Sequence, residues 1–144
     1  MNPNCVDILL VEDNPGDVRL TQLALQEAQI YNQLHIARDG EEALNFLYKR
    51  GAHTNATRPH LILLDLNLPK RSGREVLQQI KEDPDLKEIP VCILTGSKAQ
   101  EDVIKSYRLH ANCYIVKPVD FNQFVETIKS LQNFWFKLVV IPRY

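Results

Sequence analysis

The sequence predicts an α/β fold in which a five-stranded parallel sheet carries helices on both faces. Three observations lead there. Strand-like and helix-like stretches alternate five times along the 144 residues, the pattern of right-handed β–α–β crossovers. Leu61 to Leu64 form an unbroken apolar run between polar flanks, the habit of a central strand buried on both faces. Four of the five strand candidates also end in a functional group, and a parallel sheet gathers its strand ends along one edge, where ligands bind.

In chain order, Val6 to Val11 is the first strand, ending in Glu12 and Asp13. Asn14-Pro15 follows as an N-cap with proline at the first helical position. Leu20, Leu23, Ala24, Glu27 and Ala28 mark one mainly apolar face of a helix from Gly16 to Gln29. Gln33 to Ala37 is a short strand, and Asp39-Gly40 turns it into a helix from Glu41 to Lys49 with Ala43, Leu44 and Leu47 inward. Arg50 to Pro59 is polar and reads as a loop. The central strand runs into Asp65, then a loop spans Leu68 to Gly73. A helix follows from Arg74 to Lys81 with Val76, Leu77 and Ile80 inward, broken by Asp83-Pro84. Ile89 to Thr95 is the fourth strand and Gln100 to Leu109 a helix. Cys113 to Lys117 is the fifth strand, and Phe121, Phe124, Val125, Ile128, Leu131 and Trp135 recur at helical spacing in the last helix.

Composition limits the function classes. The length suits one full core, and 44% apolar with 24% charged residues is a globular balance. A net charge of −1 gives no electrostatic case for nucleic acid or an anionic membrane. With no signal segment and no long apolar span, a cytoplasmic location is expected. Cys5, Cys92 and Cys113 read as reduced thiols. His35, His53, His60 and His110 lack metal-ligand spacing. Glycine-rich phosphate loops are missing.

The chemistry converges on Glu12, Asp13, Asp65, Thr95 and Lys117. Singly, each has a bland explanation as a cap, turn or surface charge; together, at equivalent strand ends, they point to a site. Two unit charges ~4 Å apart repel by about 4 kcal/mol at an effective dielectric near 20, so clustered carboxylates call for a cation. An all-oxygen set with room for water and phosphate oxygens suits Mg²⁺, with Mn²⁺ able to substitute, better than zinc. A carboxylate beside Mg²⁺ is a usable nucleophile toward phosphorus. Lys117 and the Thr95 hydroxyl would bind two of the transferred oxygens.

VEDN at 11–14, LLDLNLP at 63–69, ILTGS at 93–97 and YIVKP at 114–118 closely resemble a response-regulator receiver domain, over about residues 6 to 133. The resemblance implies a doubly wound, flavodoxin-like sheet of order 2-1-3-4-5. It implies Asp65 as the acceptor of a phosphoryl group from a sensor histidine kinase, followed by slow autodephosphorylation. It implies Mg²⁺ held by Glu12, Asp13, Asp65 and the backbone carbonyl of Asn67. Thr95 and Tyr114 would form the conformational switch, although Tyr114 could equally be a half-buried strand aromatic. Asn67, Gly96 and Ser97 would tune phosphoryl lifetime.

The last stretch, NFWFKLVVIPRY from Asn133 to Tyr144, is strongly apolar for a chain end but too short to span a bilayer. A single-domain regulator is expected, with a receiver over 1–133 and an apolar extension over 134–144. Packing within the chain could account for part of this apolar stretch, but Phe134, Trp135, Phe136, Leu138 and Val140 are expected to form an isologous dimer interface. The tail and the long polar connection before the central strand resemble stand-alone regulators of cyanobacterial phytochrome histidine kinases. A phosphatase of the haloacid dehalogenase type also combines a nucleophilic Asp with Mg²⁺, a hydroxyl and a lysine. That family resembles D-x-D at the nucleophile, whereas Asn67 stands at the second position here, so turnover of outside substrates is not expected.

Overall fold

Strand register decides which side chains meet at the edge of this sheet. The structure, a computed structural model, describes residues 5–66, 68, 72–95, 113–116 and 120–138. Within them lie β1 (Val6–Val11), α1 (Pro15–Glu27), β2 (Asn32–Ala37), α2 (Gly40–Leu47), β3 (Leu61–Asp65), α3 (Gly73–Glu82), β4 (Val91–Thr95), β5 (Cys113–Val116) and α4 (Phe121–Leu138). Short 3₁₀ turns cover Gly51–His53 and Leu86–Glu88. The strands are parallel in the order β2-β1-β3-β4-β5, a flavodoxin-like arrangement. The expected helix over Gln100 to Leu109 lies outside the described residues. No helix among those described is long and apolar enough to cross a membrane.

The two-residue period of each strand divides the core into two layers. Leu9, Val11, Ile62, Leu64, Val91 and Ile93 pack with α2 and α3 on one face. Val6, Ile8, Leu10, Leu61, Leu63, Cys92 and Leu94 pack with α1 and α4 on the other. All five residues of β3 are buried, which is why its sequence is a continuous apolar run rather than an alternation.

Local chemistry sets several boundaries away from their expected places. Gln29 and Lys49, expected inside helices, instead take left-handed backbone at φ of 57° and 56°. Each follows a helix end closed by a six-residue return bond, Ile30 N–H to the Leu25 carbonyl at 3.2 Å and Arg50 N–H to the Asn45 carbonyl at 2.8 Å. That is the Schellman arrangement, normally marked by glycine. β4 begins at Val91, two residues later than expected. Pro90 has no N–H to give a ladder, although its carbonyl accepts from Ile62 N–H at 3.0 Å.

The buried face of α1 also differs from the expected one. Val18, Thr21, Ala24 and Leu25 face the core, whereas Leu23 is 37% exposed and Glu27 is exposed. Thr21 is tolerated inside because its hydroxyl donates to the Asp17 carbonyl at 2.9 Å, so that hydroxyl is not buried unpaired.

Candidate functional site

The site is built where β1 and β3 end side by side. Val11 pairs with Leu64, and Leu10 with Leu63. Leu10 and Leu63 face the layer of α1 and α4, and Glu12 and Asp65 are the next positions of the same parity. Neighbours in a parallel ladder thus carry one carboxylate each toward the same side of the same edge. This is also the switch point of the sheet, since β2 and β3 flank β1 in opposite directions.

Glu12 is 0% exposed and Asp65 4% exposed, while Asp13 is open to solvent. One carboxylate oxygen from each of the three lies within 4.8 Å of the others. The turn after β1 fixes this placement. Glu12 N–H donates to the Ala37 carbonyl at 2.9 Å, and Glu12 Oε2 accepts from Asn14 N–H at 3.3 Å. Asn14 Oδ1 in turn accepts from Gly16 and Asp17 N–H at 2.8 and 3.1 Å, capping α1, and Pro15 starts the helix without a donor to satisfy.

Three like charges this close repel by about 3.5 kcal/mol per pair at an effective dielectric near 20, and a divalent cation turns that repulsion into attraction. The spacing fits Mg²⁺, whose opposed ligands stand about 4.2 Å apart at 2.1 Å each. The exposed Asp13 has the freedom to close the remaining gap. Oxygen-only donors suit hard cations such as Mg²⁺ and Mn²⁺ rather than zinc.

Of the other residues named from the sequence, Thr95 ends β4 one position beyond Leu94, which pairs with Asp65. Tyr114 lies on β5 opposite Ile93. For both, the backbone is described and the side chain is not. Asn67, Gly96, Ser97 and Lys117 lie outside the described residues, as does Val140. Phe134, Trp135, Phe136 and Leu138 continue α4, which runs unbroken through position 133.

Two features have no counterpart in the motifs. Gly73, expected as the end of a loop, is the first residue of α3 and lies directly against the backbone of Asp65 and Leu66. At the opposite edge of the sheet, Asp7 joins two histidines that show no ligand spacing. Its Oδ1 lies 3.0 Å from His35 Nε2, and its N–H donates to His60 Nδ1 at 3.0 Å.

The response regulator receiver domain model matches residues 8–129. Response regulator Rcp1 of Synechocystis sp. is 49% identical over 135 residues, covering 94% of this chain and 92% of that protein. The probable methanogenesis regulatory protein FilR2 of Methanothrix harundinacea is 38% identical over 130 residues, covering 89% and 82%. Among solved structures, the phosphorylated cyanobacterial phytochrome response regulator RcpA superposes with a TM-score of 0.82 at 48% identity, covering 91% of this chain and 94% of that one. The Mn²⁺-bound form of Rcp1 gives 0.83 at 48%, covering 95% and 99%. Sheet order, a carboxylate cluster at the switch point and these matches agree: the chain belongs to the response regulator receiver domain family.

Proposed function

We propose that this response regulator takes a phosphoryl group from the phosphohistidine of a sensor histidine kinase onto Asp65, in a Mg²⁺-dependent reaction. The observation that carries the proposal is the trio Glu12, Asp13 and Asp65, with carboxylate oxygens within 4.8 Å at the ends of β1 and β3. An Asp65 oxygen attacks phosphorus, the donor's N–P bond breaks, and its electron pair returns to the imidazole, which takes up a proton. Glu12, Asp13, Asp65 and the Asn67 carbonyl would hold Mg²⁺, which neutralises charge on the phosphoryl oxygens when bound.

Lys117 and Thr95 bind the remaining phosphoryl oxygens in this scheme. Thr95 then moves toward the new charge while Tyr114 turns inward, and Asn67, Gly96 and Ser97 govern how fast water removes the group. The chain turns over no outside substrate and catalyses only its own modification and slow dephosphorylation. A phytochrome-type kinase is the proposed donor, in line with the similarity to RcpA, a cyanobacterial phytochrome response regulator. A cytoplasmic setting accords with the free thiols of Cys5 and Cys92.

Residues 1–133 act as the receiver, and the apolar end over 134–144 forms a homodimer surface with Phe134, Trp135, Phe136, Leu138 and Val140. Sedimentation over a concentration series should show a dimer, and a monomer throughout would exclude that surface. The phosphotransfer proposal is tested with a phosphorylated phytochrome kinase as donor. Label should move to the wild-type chain and not to Asp65→Asn, and equal labelling of both would refute the assignment.

A further inference from the structure

We infer that Gly73 is a positioning residue for the phosphoacceptor, setting through its missing side chain how far Asp65 stands from Glu12. The inference rests on the reaction proposed above and concerns a residue that touches neither metal nor phosphate in it. Gly73 opens α3, with Ser72 Oγ accepting from Glu75 N–H at 3.3 Å as the cap. Gly73 N–H donates to the Leu66 carbonyl at 3.1 Å, so the chain leaving β3 is tied back to the first turn of the helix. A Cβ on residue 73 would overlap the Asp65 carbonyl oxygen, and would lie 2.5 Å from Leu66 Cα and 3.0 Å from the Asp65 carbonyl carbon. All three obstacles are backbone atoms, so no rotamer change relieves them.

Ordinary contact begins at 3.4 Å, and reaching it requires the end of β3 and the start of α3 to separate by about 1 Å, a displacement of the size that can cost 10²-fold in a positioned reaction. Strand and helix do not share the movement equally. Val76, Leu77 and Ile80 are fully buried and hold α3 against the sheet. On the β1 side the ladder ends at Val11 with Leu64, whereas on the β4 side Asp65 still pairs with Leu94 and Leu66 N–H donates to the Leu94 carbonyl at 3.2 Å. Asp65 is therefore held to β4 but not to β1, so the separation it can yield is the one from Glu12, which stays tied to Ala37 and Asn14. Mg²⁺ tolerates little departure from octahedral geometry, so a displaced Asp65 weakens the ion's binding as well as the attack on phosphorus.

The test compares the full-length wild type with G73A and V76A, the latter a core truncation in the same helix. Three quantities are measured: the thermal midpoint, Mg²⁺ affinity by calorimetry, and the rate of labelling by acetyl phosphate. G73A should remain folded, bind Mg²⁺ more weakly than wild type and lose on the order of 10²-fold in labelling rate. V76A should lose thermal stability while keeping wild-type affinity and rate. A crystal structure of G73A should show the Asp65 carboxylate moved relative to Glu12 by about 1 Å, the displacement associated with such losses. Wild-type affinity and rate in G73A, losses in V76A of the same size, or a G73A chain that fails to fold would each overturn the assignment. A wild-type chain that neither binds Mg²⁺ nor labels would refute the proposed function instead, and the carboxylate separation in crystalline G73A would then decide the positioning claim alone.

Discussion

Replacing Asp13 with asparagine should reverse the stability order of variant and wild type between metal-free and Mg²⁺-containing buffer. The variant loses two like-charge pairs, with Glu12 and with Asp65, whose oxygens lie within 4.8 Å. Each pair costs about 3.5 kcal/mol at an effective dielectric near 20. Asp13 is exposed, and solvent screening brings the combined relief down to about 1–2 kcal/mol. For a chain of 144 residues, 1 kcal/mol corresponds to about 3 °C in the thermal midpoint. The variant should therefore melt about 3–6 °C above wild type in a chelator. At Mg²⁺ a hundredfold above its Kd, wild type gains about 2.7 kcal/mol, or about 8 °C, while the variant gains little. Circular-dichroism melts of both chains with and without Mg²⁺ provide the assay. A variant less stable than wild type in the chelator, or equal gains from Mg²⁺ in both chains, would refute the clustering argument.

Three further outcomes concern the scaffold. Lys49→Gly should stabilise by about 0.5–1 kcal/mol, because a left-handed C′ position no longer strains a Cβ; an unchanged urea midpoint would contradict it. His60→Ala should cost about 1 kcal/mol by leaving the Asp7 N–H without its acceptor. His60→Asn, whose Oδ1 can stand near the lost Nδ1, should recover most of that in the same urea titration, and equal losses would remove the hydrogen bond as the cause. Asp83 is held below the usual carboxylate range by the N–H groups of Leu86 and Asp85. Its contribution is complete above the ordinary aspartate pKa and disappears as pH falls through the lowered value. Asp83→Ala should thus be less stable than wild type at neutral pH and converge with it in acid, whereas a gap independent of pH would contradict the sign.

Much of the fold was legible because a doubly wound sheet writes itself plainly into sequence. Its inner strands are continuous apolar runs, and the carboxylates of Glu12, Asp13 and Asp65 stand at strand ends that parallel pairing must bring together. Helix ends were harder to read. Glycine is the usual mark of a left-handed C′ residue, and here Gln29 and Lys49 occupy those positions, so periodicity alone ran both helices too far. The inward face of α1 was blurred because Thr21 satisfies its hydroxyl within the helix, and counting apolar residues gave Leu23 its place. Gly73 could not be recognised locally. Its role depends on how closely α3 approaches the end of β3, a tertiary distance with no signature in a loop. The contacts of Asp7 with His35 and His60 join β1, β2 and the entry to β3, and no spacing along the chain foreshadows them.

The central claim is that carboxylates from separate strands meet to make Asp65 a phosphoryl acceptor. Intact-mass measurement after incubation with acetyl phosphate, followed by peptide mapping, tests it most directly. With Mg²⁺ the wild-type chain should gain one phosphoryl group, mapped to the peptide containing Asp65, and with chelator it should gain none. A gain that persists in chelator, maps to another peptide, or survives in Asp65→Asn would contradict the account.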